Sequence, residues 1–324
     1  MVTLILGRAG TGKTALVMDR IRELGKNGTQ SILIVPEQYS HDAERQLCES
    51  CGEGVSLYAE VLSFSRLSNR VFAETGGLAR RTLDAGGRVL VMNAALTALA
   101  SRLKAYHPGR RRAELIRGLL HTYDELKTSG AAPEELRTAG EKAGGVFGDK
   151  LSDLADIFGA YEALIPDGAA DPGDRLAELT NKIEKAAQLT GKHVFLDGFT
   201  DFTGQEAEIV DRLVSRGNDV TVCLNCDGLN GDEPAFALPR RTAARLLRTA
   251  AETGAKTEIL NRAPTDGKKR EELRFAERVL LTRGEETFEG ACESIRLFRE
   301  TSKSRECALA AAEAVRLVRE KGCR

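Results

Sequence analysis

The stretch VTLILGRAGTGKTALVMDRI, residues 2–21, joins an apolar run to a glycine-rich loop and then to a helical pattern. Residues Val2 to Leu6 are typical of a buried strand, and the helix is expected to continue to about Leu24. The loop between them matches the phosphate-binding pattern G-x-x-x-x-G-K-[ST], in the strand–loop–helix context that such a site requires. Its residues are Gly7, Arg8, Ala9, Gly10, Thr11, Gly12, Lys13 and Thr14.

This loop predicts a binding site for a nucleoside triphosphate. Its glycines allow backbone N–H groups to converge on the β- and γ-phosphates, at a helix N-terminus that favours anions. Lys13 is expected to place its ammonium on the terminal phosphates, and Thr14 to offer its hydroxyl to Mg²⁺. The alternative is a glycine-rich turn between strand and helix that binds nothing.

A second part of the site is predicted at Asp197, at the C-terminal end of a strand that contains the apolar run Val194-Phe195-Leu196. In P-loop enzymes a carboxylate at the end of a neighbouring buried strand holds Mg²⁺. The alternative is that Asp197 caps the next helix. The next residue is Gly198, where an active ATPase usually has a glutamate that orients the attacking water, so slow hydrolysis is expected. Gln205 and Glu206 either compensate in part or are solvated helix residues.

Composition limits the class of protein. The 324 residues are 42% apolar, enough for a substantial core and for two or three domains. With 47 basic and 48 acidic side chains, no global field points to nucleic acid, although a local basic groove would suffice to bind it. No apolar stretch approaches the roughly 20 residues that span a bilayer. The early strand argues against a signal peptide, and seven cysteines, an odd number, indicate reduced thiols, so a cytoplasmic protein is expected.

The order of predicted elements indicates a split α/β domain. Strands and helices alternate over residues 1–84 and again over 190–290, which predicts a parallel sheet with helices on both faces. Residues 85–189 show only amphipathic helical runs and are predicted to form an all-helical insertion. In residues 291–324, a strand at Ser294–Arg299 and a helix at Lys303–Glu320 are expected to open a further domain that is truncated. The fold class is therefore α/β, a P-loop (RecA-like) sheet domain with a helical inserted subdomain.

Three further segments accompany the loop in a specific order: VPEQYS at 35–40, LSFSRL at 62–67 and FLDGFTDF at 195–202. Together with the loop and the helical insertion, they resemble the N-terminal part of the AddB family, the B subunits of bacterial AddAB helicase–nucleases. The resemblance covers essentially the whole chain and implies a motor core similar to superfamily 1 helicases. It also implies contacts to single-stranded DNA by two of the segments, through Gln38, Tyr39, Ser40, Ser63, Phe64, Ser65 and Arg66.

The same resemblance implies cofactors, partners and activity. It implies ATP with Mg²⁺, single-stranded DNA from duplex ends, and an AddA-type helicase–nuclease subunit as heterodimer partner. The parent enzyme would be an ATP-dependent helicase and exodeoxyribonuclease of double-strand break repair by recombination. The nuclease domain and its iron–sulfur cysteines lie in the distant C-terminal region of such subunits, so this stretch is not expected to cut DNA. Gly198 agrees with a subunit that keeps the loop without being an active translocase.

Other patterns leave alternatives open. A small-molecule P-loop kinase would use the helical insertion as a lid, and a DNA-binding scaffold would keep only a vestigial loop. The arginine pairs and triplet at 80–81, 110–112 and 240–241 either contact backbone phosphates or form a solvated surface. Tyr39, Phe64 and Phe72 are candidates to stack on bases, with Phe64 equally a core candidate. The cysteine pairs at 48/51 and 223/226 are either zinc ligands or ordinary helix and core residues.

Overall fold

A computed structural model describes residues 1–106, 112–231, 233–263, 270–282 and 285–323. The chain forms two compact units, Met1–Pro264 and Thr265–Arg324. The sheet and the helical insertion belong to the first unit. The predicted sheet domain extends to residue 290, whereas the boundary between the two units lies at residue 264. The helix that begins after residue 270 therefore belongs to the second unit.

Six parallel strands form the sheet of the first unit, which confirms the α/β prediction. Their spatial order is β3-β2-β6-β7-β1-β8, with β1 hydrogen-bonded to β7 on one side and to β8 on the other. The two remaining strands, β4 and β5, pair with each other as a short separate ladder. The strands are β1 (Val2–Gly7), β2 (Ser31–Ile34), β3 (Ala59–Leu62), β4 (Arg81–Thr82), β5 (Ala169–Ala170), β6 (His193–Leu196), β7 (Asp219–Asn225) and β8 (Thr257–Asn261).

Ten helices of the first unit are described. Their bounds are α1 (Lys13–Lys26), α2 (Ser40–Cys51), α3 (Phe64–Thr75), α4 (Ala85–Leu99), α5 (Arg112–Ser129), α6 (Pro133–Ala143), α7 (Gly145–Ala163), α8 (Arg175–Lys182), α9 (Gly204–Ser215) and α10 (Ala237–Glu252). Within the stretch predicted to be helical, α8 is short and is flanked by 3₁₀ turns. Asp171 accepts a hydrogen bond from the backbone of Gly173, a local turn that competes with helix at this point.

The central strands are buried along most of their length because helices cover both faces of the sheet. Ile5, Leu33 and Phe195 point to the face that α1 and α2 cover, where they form one buried cluster with residues of those helices. Side chains that alternate with them point to the other face, where α9 and α10 contact β7 and β1. The site described below is therefore held by a sheet that is buried on both sides.

Helices α4, α5 and α7 share a hydrophobic core of their own, against which Leu136 of α6 packs, whereas α8 packs against α3 and α9 of the sheet domain. Tyr123 of α5 is fully buried, with its ring edge-to-face to Phe158 and Tyr161 of α7 at centroid distances of 5.3 and 4.9 Å. Arg88 of α4 ties this insertion to the turn before α8 through Asp171, at 2.9 Å. The short strands β4 and β5 lie at its two ends, where the sequence predicted only helix and loop.

The second unit contains α11 (Glu271–Thr282) and α12 (Lys303–Lys321). The strand expected at Ser294–Arg299 is not formed, and Leu297 is 96% exposed. A strand requires a neighbour that accepts its N–H groups and donates to its carbonyls, and the described residues of this unit provide none. The segment therefore has the alternating sequence of a strand without the pairing that makes one.

Among the described residues, no helix is both long and apolar enough to cross a membrane.

Candidate functional site

The glycine-rich loop turns tightly between β1 and α1. Gly10 and Gly12 have φ values of 78° and 77°, in the left-handed region that other residues rarely adopt. A Cβ at Gly7 would clash with Oγ1 of Thr11, whose hydroxyl donates to the carbonyl of Arg8 at 2.9 Å. These three glycines are therefore required by backbone conformation and by close approach, as expected for a loop whose peptide groups form the site.

Lys13 lies inside this loop. Its side chain is buried, and Nζ donates to the carbonyl oxygens of Gly7 at 2.7 Å and Arg8 at 2.9 Å. The ammonium is thus held over the peptide groups of the loop, at the N-terminus of α1, where two sources of positive potential coincide. A bound anion would compete with these two carbonyl oxygens for the ammonium of Lys13.

The hydroxyl and carboxylate predicted to hold Mg²⁺ meet in the structure. Thr14 Oγ1 donates to Asp197 Oδ2 at 2.6 Å, across a sequence separation of 183 residues. Asp197 follows β6, which is separated from β1 by β7, so the two side chains approach along the carboxyl edge of the sheet. The helix-cap alternative is not supported, because Thr203 caps α9 by accepting from the backbone N–H of Glu206 at 3.3 Å.

Gly198 has a conformational reason to be glycine. Its φ is +85°, and a Cβ there would lie 3.3 Å from Cδ of Pro36 and 3.7 Å from the ring of Tyr39. Its N–H donates to Asp197 Oδ1 at 3.0 Å, which fixes the carboxylate. A glutamate at this position would be strained in the conformation that orients Asp197.

Gln205 lies away from the Thr14–Asp197 pair. Its side chain is buried, and Nε2 donates to the carbonyl of Gly173 at 3.0 Å, in the segment that leads from the insertion into α8. Glu206 accepts from the backbone N–H of Thr203 at 2.9 Å and completes the cap of α9. Both side chains therefore stabilise the start of α9 and its contact with the insertion, rather than replacing the missing glutamate.

A cleft of about 440 Å³ opens beside the Thr14–Asp197 pair. Its other wall is the start of α2 and the turn before it, including Tyr39, whose side chain is 50% exposed. Polar groups on this wall come from Asp42, Arg45 and Gln46. The cleft therefore joins the predicted phosphate site to the first of the two segments predicted to contact DNA.

The first segment predicted to contact DNA is largely accessible. Gln38 and Tyr39 are exposed in the 3₁₀ turn that precedes α2. Ser40, the first residue of α2, is buried, and its hydroxyl has no hydrogen-bond partner among the described residues. Gln38 and Tyr39 are therefore the members of this segment that an external ligand can reach.

The second segment divides into buried and exposed residues. Ser63 is buried and caps α3 by accepting from the N–H of Arg66 at 3.2 Å. Phe64 is 5% exposed and packs edge-to-face against Phe199, with ring centroids 5.6 Å apart. Of the two alternatives for Phe64, the structure places it in the core. Ser65 and Arg66 remain exposed, and Arg66 forms an ion pair with Glu44 of α2 at 2.6 Å.

Arg262 approaches the loop from a direction that the sequence did not indicate. It follows β8, and its N–H donates to the carbonyl of Leu6 at 2.7 Å, extending the pairing of β8 with β1. Its side chain reaches the loop, where Nε donates to the carbonyl of Thr11 at 3.4 Å. Only the weak strand signal at 257–260 precedes it, and strand order, which brings β8 beside β1, cannot be deduced from that signal.

Two buried titratable groups lie in the sheet near the site. Burial raises the pKa of the Cys223 thiol, which lies beside Asp197, so this thiol is uncharged at neutral pH. Burial lowers the pKa of His193 to about 4, and its Nε2 is 2.8 Å from Oγ1 of Thr221. Neither group therefore adds charge to the site at neutral pH.

Each arginine cluster has one member that is engaged within the protein. Arg80 pairs with Glu178 at 3.5 Å, and Arg240 pairs with Asp227 at 2.8 Å. Arg112 donates to Asn93 Oδ1 at 2.6 Å, while residues 110 and 111 lie outside the described part of the chain.

The two cysteine pairs lie on separate elements, one on α2 and one at the end of β7. All four thiols are free, and no group of three metal-ligating side chains occurs among the described residues. Phe72, the remaining stacking candidate, is buried in α3.

Comparison with known proteins agrees with these features. The family model described as ADDB, N-terminal, matches residues 4–277. The chain is 30% identical over 333 residues to the B subunit of the ATP-dependent helicase/deoxyribonuclease of Caldanaerobacter subterraneus subsp. tengcongensis, covering 100% of this chain and 29% of that protein. It is 31% identical over 335 residues to the protein of the same name from Thermoanaerobacter sp. (strain X514), with the same two coverages.

A third relative is the corresponding B subunit of Clostridium perfringens (strain 13 / Type A). It is 29% identical over 328 residues, covering 98% of this chain and 28% of that protein. The chain thus spans less than a third of the length of these curated relatives. The family model covers most of the chain, including the glycine-rich loop and Asp197. By this match the chain belongs to the AddB family and corresponds to its N-terminal region.

Proposed function

We propose that this chain is the nucleotide-holding, DNA-contacting region of the B subunit of an ATP-dependent helicase/deoxyribonuclease. The proposed fold is that of a RecA-like P-loop domain with a helical insertion. One observation carries the proposal: Thr14 of the loop and Asp197 after β6 share a hydrogen bond of 2.6 Å. A hydroxyl and a carboxylate that converge beside a phosphate-binding loop are the pair that P-loop proteins use for Mg²⁺.

The residues fit ATP with Mg²⁺. The backbone N–H groups of the loop and the start of α1 would bind the phosphates, and Lys13 would exchange the carbonyls of Gly7 and Arg8 for phosphate oxygens. Thr14 and Asp197 would hold the metal ion, Asp197 with its second oxygen fixed by the N–H of Gly198. Bound Mg²⁺ supplies charge neutralisation of the β- and γ-phosphates.

The site favours retention of ATP over its turnover. A general base must lie within hydrogen-bond reach of the attacking water. Gly198 offers no side chain, and Gln205 and Glu206 are engaged at the start of α9. We therefore propose weak or absent hydrolysis by this region, with ATP acting as a structural or regulatory ligand.

Single-stranded DNA is the proposed second ligand. Gln38, Tyr39, Ser65 and Arg66 are exposed near the starts of α2 and α3, the helices that follow β2 and β3. Parallel strands end at the same edge of a sheet, so these residues lie on the edge that carries the loop. An aromatic ring and a guanidinium suit a single strand, which is bound by stacking and by phosphate contacts.

The wider context is proposed from the relatives. Their name as subunits of a helicase/deoxyribonuclease supports an AddA-type partner subunit, a role in double-strand break repair and a cytoplasmic location. No observation in the described residues favours the small-molecule kinase alternative.

Binding of an ATP analogue to the chain and to its Lys13→Ala variant tests the proposal. Because the ammonium lies inside the loop, its removal is expected to weaken binding at least tenfold, about 1.4 kcal/mol, with the fold intact by circular dichroism. Asp197→Asn is expected to remove the Mg²⁺ dependence of binding while the carboxamide keeps the size of the side chain. Equal affinity of Lys13→Ala and the parent chain would show that the loop is not the nucleotide site.

A further inference from the structure

Arg262 places a second cationic side chain against the loop. It follows β8 and is exposed, whereas Lys13 is buried inside the loop. The backbone of Arg262 continues the ladder between β8 and β1, since its N–H donates to the carbonyl of Leu6 at 2.7 Å. The sheet therefore fixes the position of the Arg262 backbone.

The guanidinium lies over the end of the loop that starts α1. Nε donates to the carbonyl of Thr11 at 3.4 Å, and Nη2 is 3.7 Å from the position that a Cβ of Gly12 would occupy. Gly12 has a left-handed conformation and is the residue before the first turn of α1. The backbone N–H groups at this point of a P-loop cradle the α- and β-phosphates of a nucleotide. The guanidinium therefore lies beside the proposed phosphate cradle, and its bond to Thr11 is the one hydrogen bond that it donates among the described residues.

The order of the strands gives the bound nucleotide a direction. Asp197 follows β6, on the β7 side of β1, whereas Arg262 follows β8, on the opposite side. The metal pair Thr14–Asp197 would hold the β- and γ-phosphates. A nucleotide whose terminal phosphates lie on the β7 side of the loop would therefore place its α-phosphate and its nucleoside on the β8 side. The cleft beside Asp197 has Thr14, Gly198 and Asn225 among its lining residues and does not include Arg262, which agrees with a role for Arg262 at the other end.

We propose that Arg262 binds the α-phosphate of the nucleotide, at its nucleoside end. This inference rests on the proposed nucleotide site and deepens it, since it assigns to the site a contact that is independent of the γ-phosphate. The planar guanidinium presents several N–H donors to a phosphate oxygen while Nε keeps its contact with Thr11. Arg262 thus distinguishes nucleotides from inorganic phosphate and treats ATP and ADP alike.

Calorimetric titration of the 324-residue chain with a non-hydrolysable ATP analogue and with ADP, both with Mg²⁺, tests the proposal. Unlabelled ligands are required because a label on the ribose would lie at the end under test. Arg262→Ala is expected to weaken both ligands by the same factor, about tenfold, the effect of losing one charge-assisted hydrogen bond. Arg262→Lys, which keeps the positive charge, is expected to recover part of that loss for both ligands.

Arg20→Ala is the matched control. Arg20 also joins α1 to β8, through Glu258 at 3.4 Å, but it lies away from the loop. It is expected to change thermal stability slightly and to leave both affinities unchanged. If Arg262 served only to fasten β8, its alanine variant would behave like this control, and the proposal would be overturned.

Other outcomes separate the inference from the proposed function. A loss for the ATP analogue alone would mean that Arg262 reaches the γ-phosphate, which contradicts the proposed direction. Binding by Arg262→Lys as weak as that by Arg262→Ala would exclude a charge contact with the α-phosphate. If the parent chain binds both ligands and the Arg262 variants bind them equally well, only the inference fails. If the parent chain binds neither ligand, the nucleotide site itself is wrong.

Discussion

Gly198 shows how one residue can orient Asp197, the proposed metal ligand, while it leaves no side chain at the position of the usual general base. Its left-handed backbone turns its N–H toward Asp197, while Pro36 occupies the space where a side chain would begin. The glycine is thus part of the device that orients Asp197, and the missing glutamate is a consequence of that geometry. Sequence alone indicated the loss of the base but not the reason for it.

Replacement of Gly198 by glutamate is expected to destabilise the chain without creating an ATPase. A left-handed non-glycine residue costs of order 1–3 kcal/mol, and contact with Pro36 adds to that cost. Thermal denaturation and phosphate release measure the two effects. Gly217→Ala is the control, since Gly217 has a φ of +90° but nothing within 4 Å of its Cβ position. Faster hydrolysis by Gly198→Glu would contradict this account.

His193 gives stability a dependence on pH. Burial lowers its pKa from 6.5 to about 4, despite the nearby carboxylate of Asp219, which acts in the opposite direction. Between these values the unfolded chain binds the proton and the folded chain does not, so the free energy of unfolding falls as pH falls from 6.5 toward 4. The slope attributable to this group is at most about 1.4 kcal/mol per pH unit. Chemical denaturation of His193→Gln at several pH values should show a shallower decline than that of the parent, and an equal decline would exclude the assignment.

Among the elements, α3 is joined to the loop after Asp197 by aromatic packing. Phe64, at the start of α3, contacts Phe199 at 5.6 Å and Phe202 at 6.4 Å between ring centroids. All three rings are buried. A displacement of the loop after Asp197 therefore displaces the start of α3, where Ser65 and Arg66 are exposed.

Phe64→Ala is expected to lower the free energy of unfolding by about 3–5 kcal/mol, the cost of removing a buried ring from a packed cluster. Phe64→Leu, which keeps most of the volume, should cost far less. Urea denaturation of both variants measures the difference. If Phe64 stacked on DNA instead, both variants would bind single-stranded DNA more weakly at little cost in stability.

The elements also show what sequence patterns could predict. The apolar run Val2–Leu6 predicts a strand close to the observed β1, because burial on both faces of the sheet leaves a clear signal. Residues 294–299 have the alternating pattern of a strand but form none, because pairing depends on a neighbour that the pattern does not describe. For the site, sequence patterns assigned Thr14 and Asp197 to one predicted Mg²⁺ site, and the structure brings the two side chains together. The approach of Arg262 to the loop depends on strand order, and the burial of Phe64 depends on packing, so neither could be predicted from a local pattern.

At the scale of the whole molecule, the cleft between the Thr14–Asp197 pair and Tyr39 connects the two proposed ligands. A ligand at the metal pair and a base stacked on Tyr39 would share one wall of this cleft. We therefore expect the ATP analogue with Mg²⁺ to change the affinity for single-stranded DNA, and Tyr39→Ala to weaken DNA binding by about 1–3 kcal/mol.

Fluorescence anisotropy of labelled single-stranded DNA, with and without the analogue, measures both effects. Because Tyr39 is half exposed, Tyr39→Ala should leave thermal stability nearly unchanged. Tyr58→Phe serves as a control. Tyr58 packs against the sheet core, and this variant loses the hydroxyl but retains the aromatic ring. DNA affinity that is the same in Tyr39→Ala as in the parent would remove Tyr39 from the DNA site.

The position of β1 between β7 and β8 has a consequence for biosynthesis. Val2 is paired with Val220 and with Thr257, so β1 obtains its partners only after β7 and β8, which lie far downstream in the chain, have left the ribosome. Loop closure over such separations is slow, and an unpaired apolar strand is prone to aggregation until it is covered. The glycine-rich loop directly follows β1. A nascent chain that ends before β8 therefore cannot yet have assembled the proposed nucleotide site.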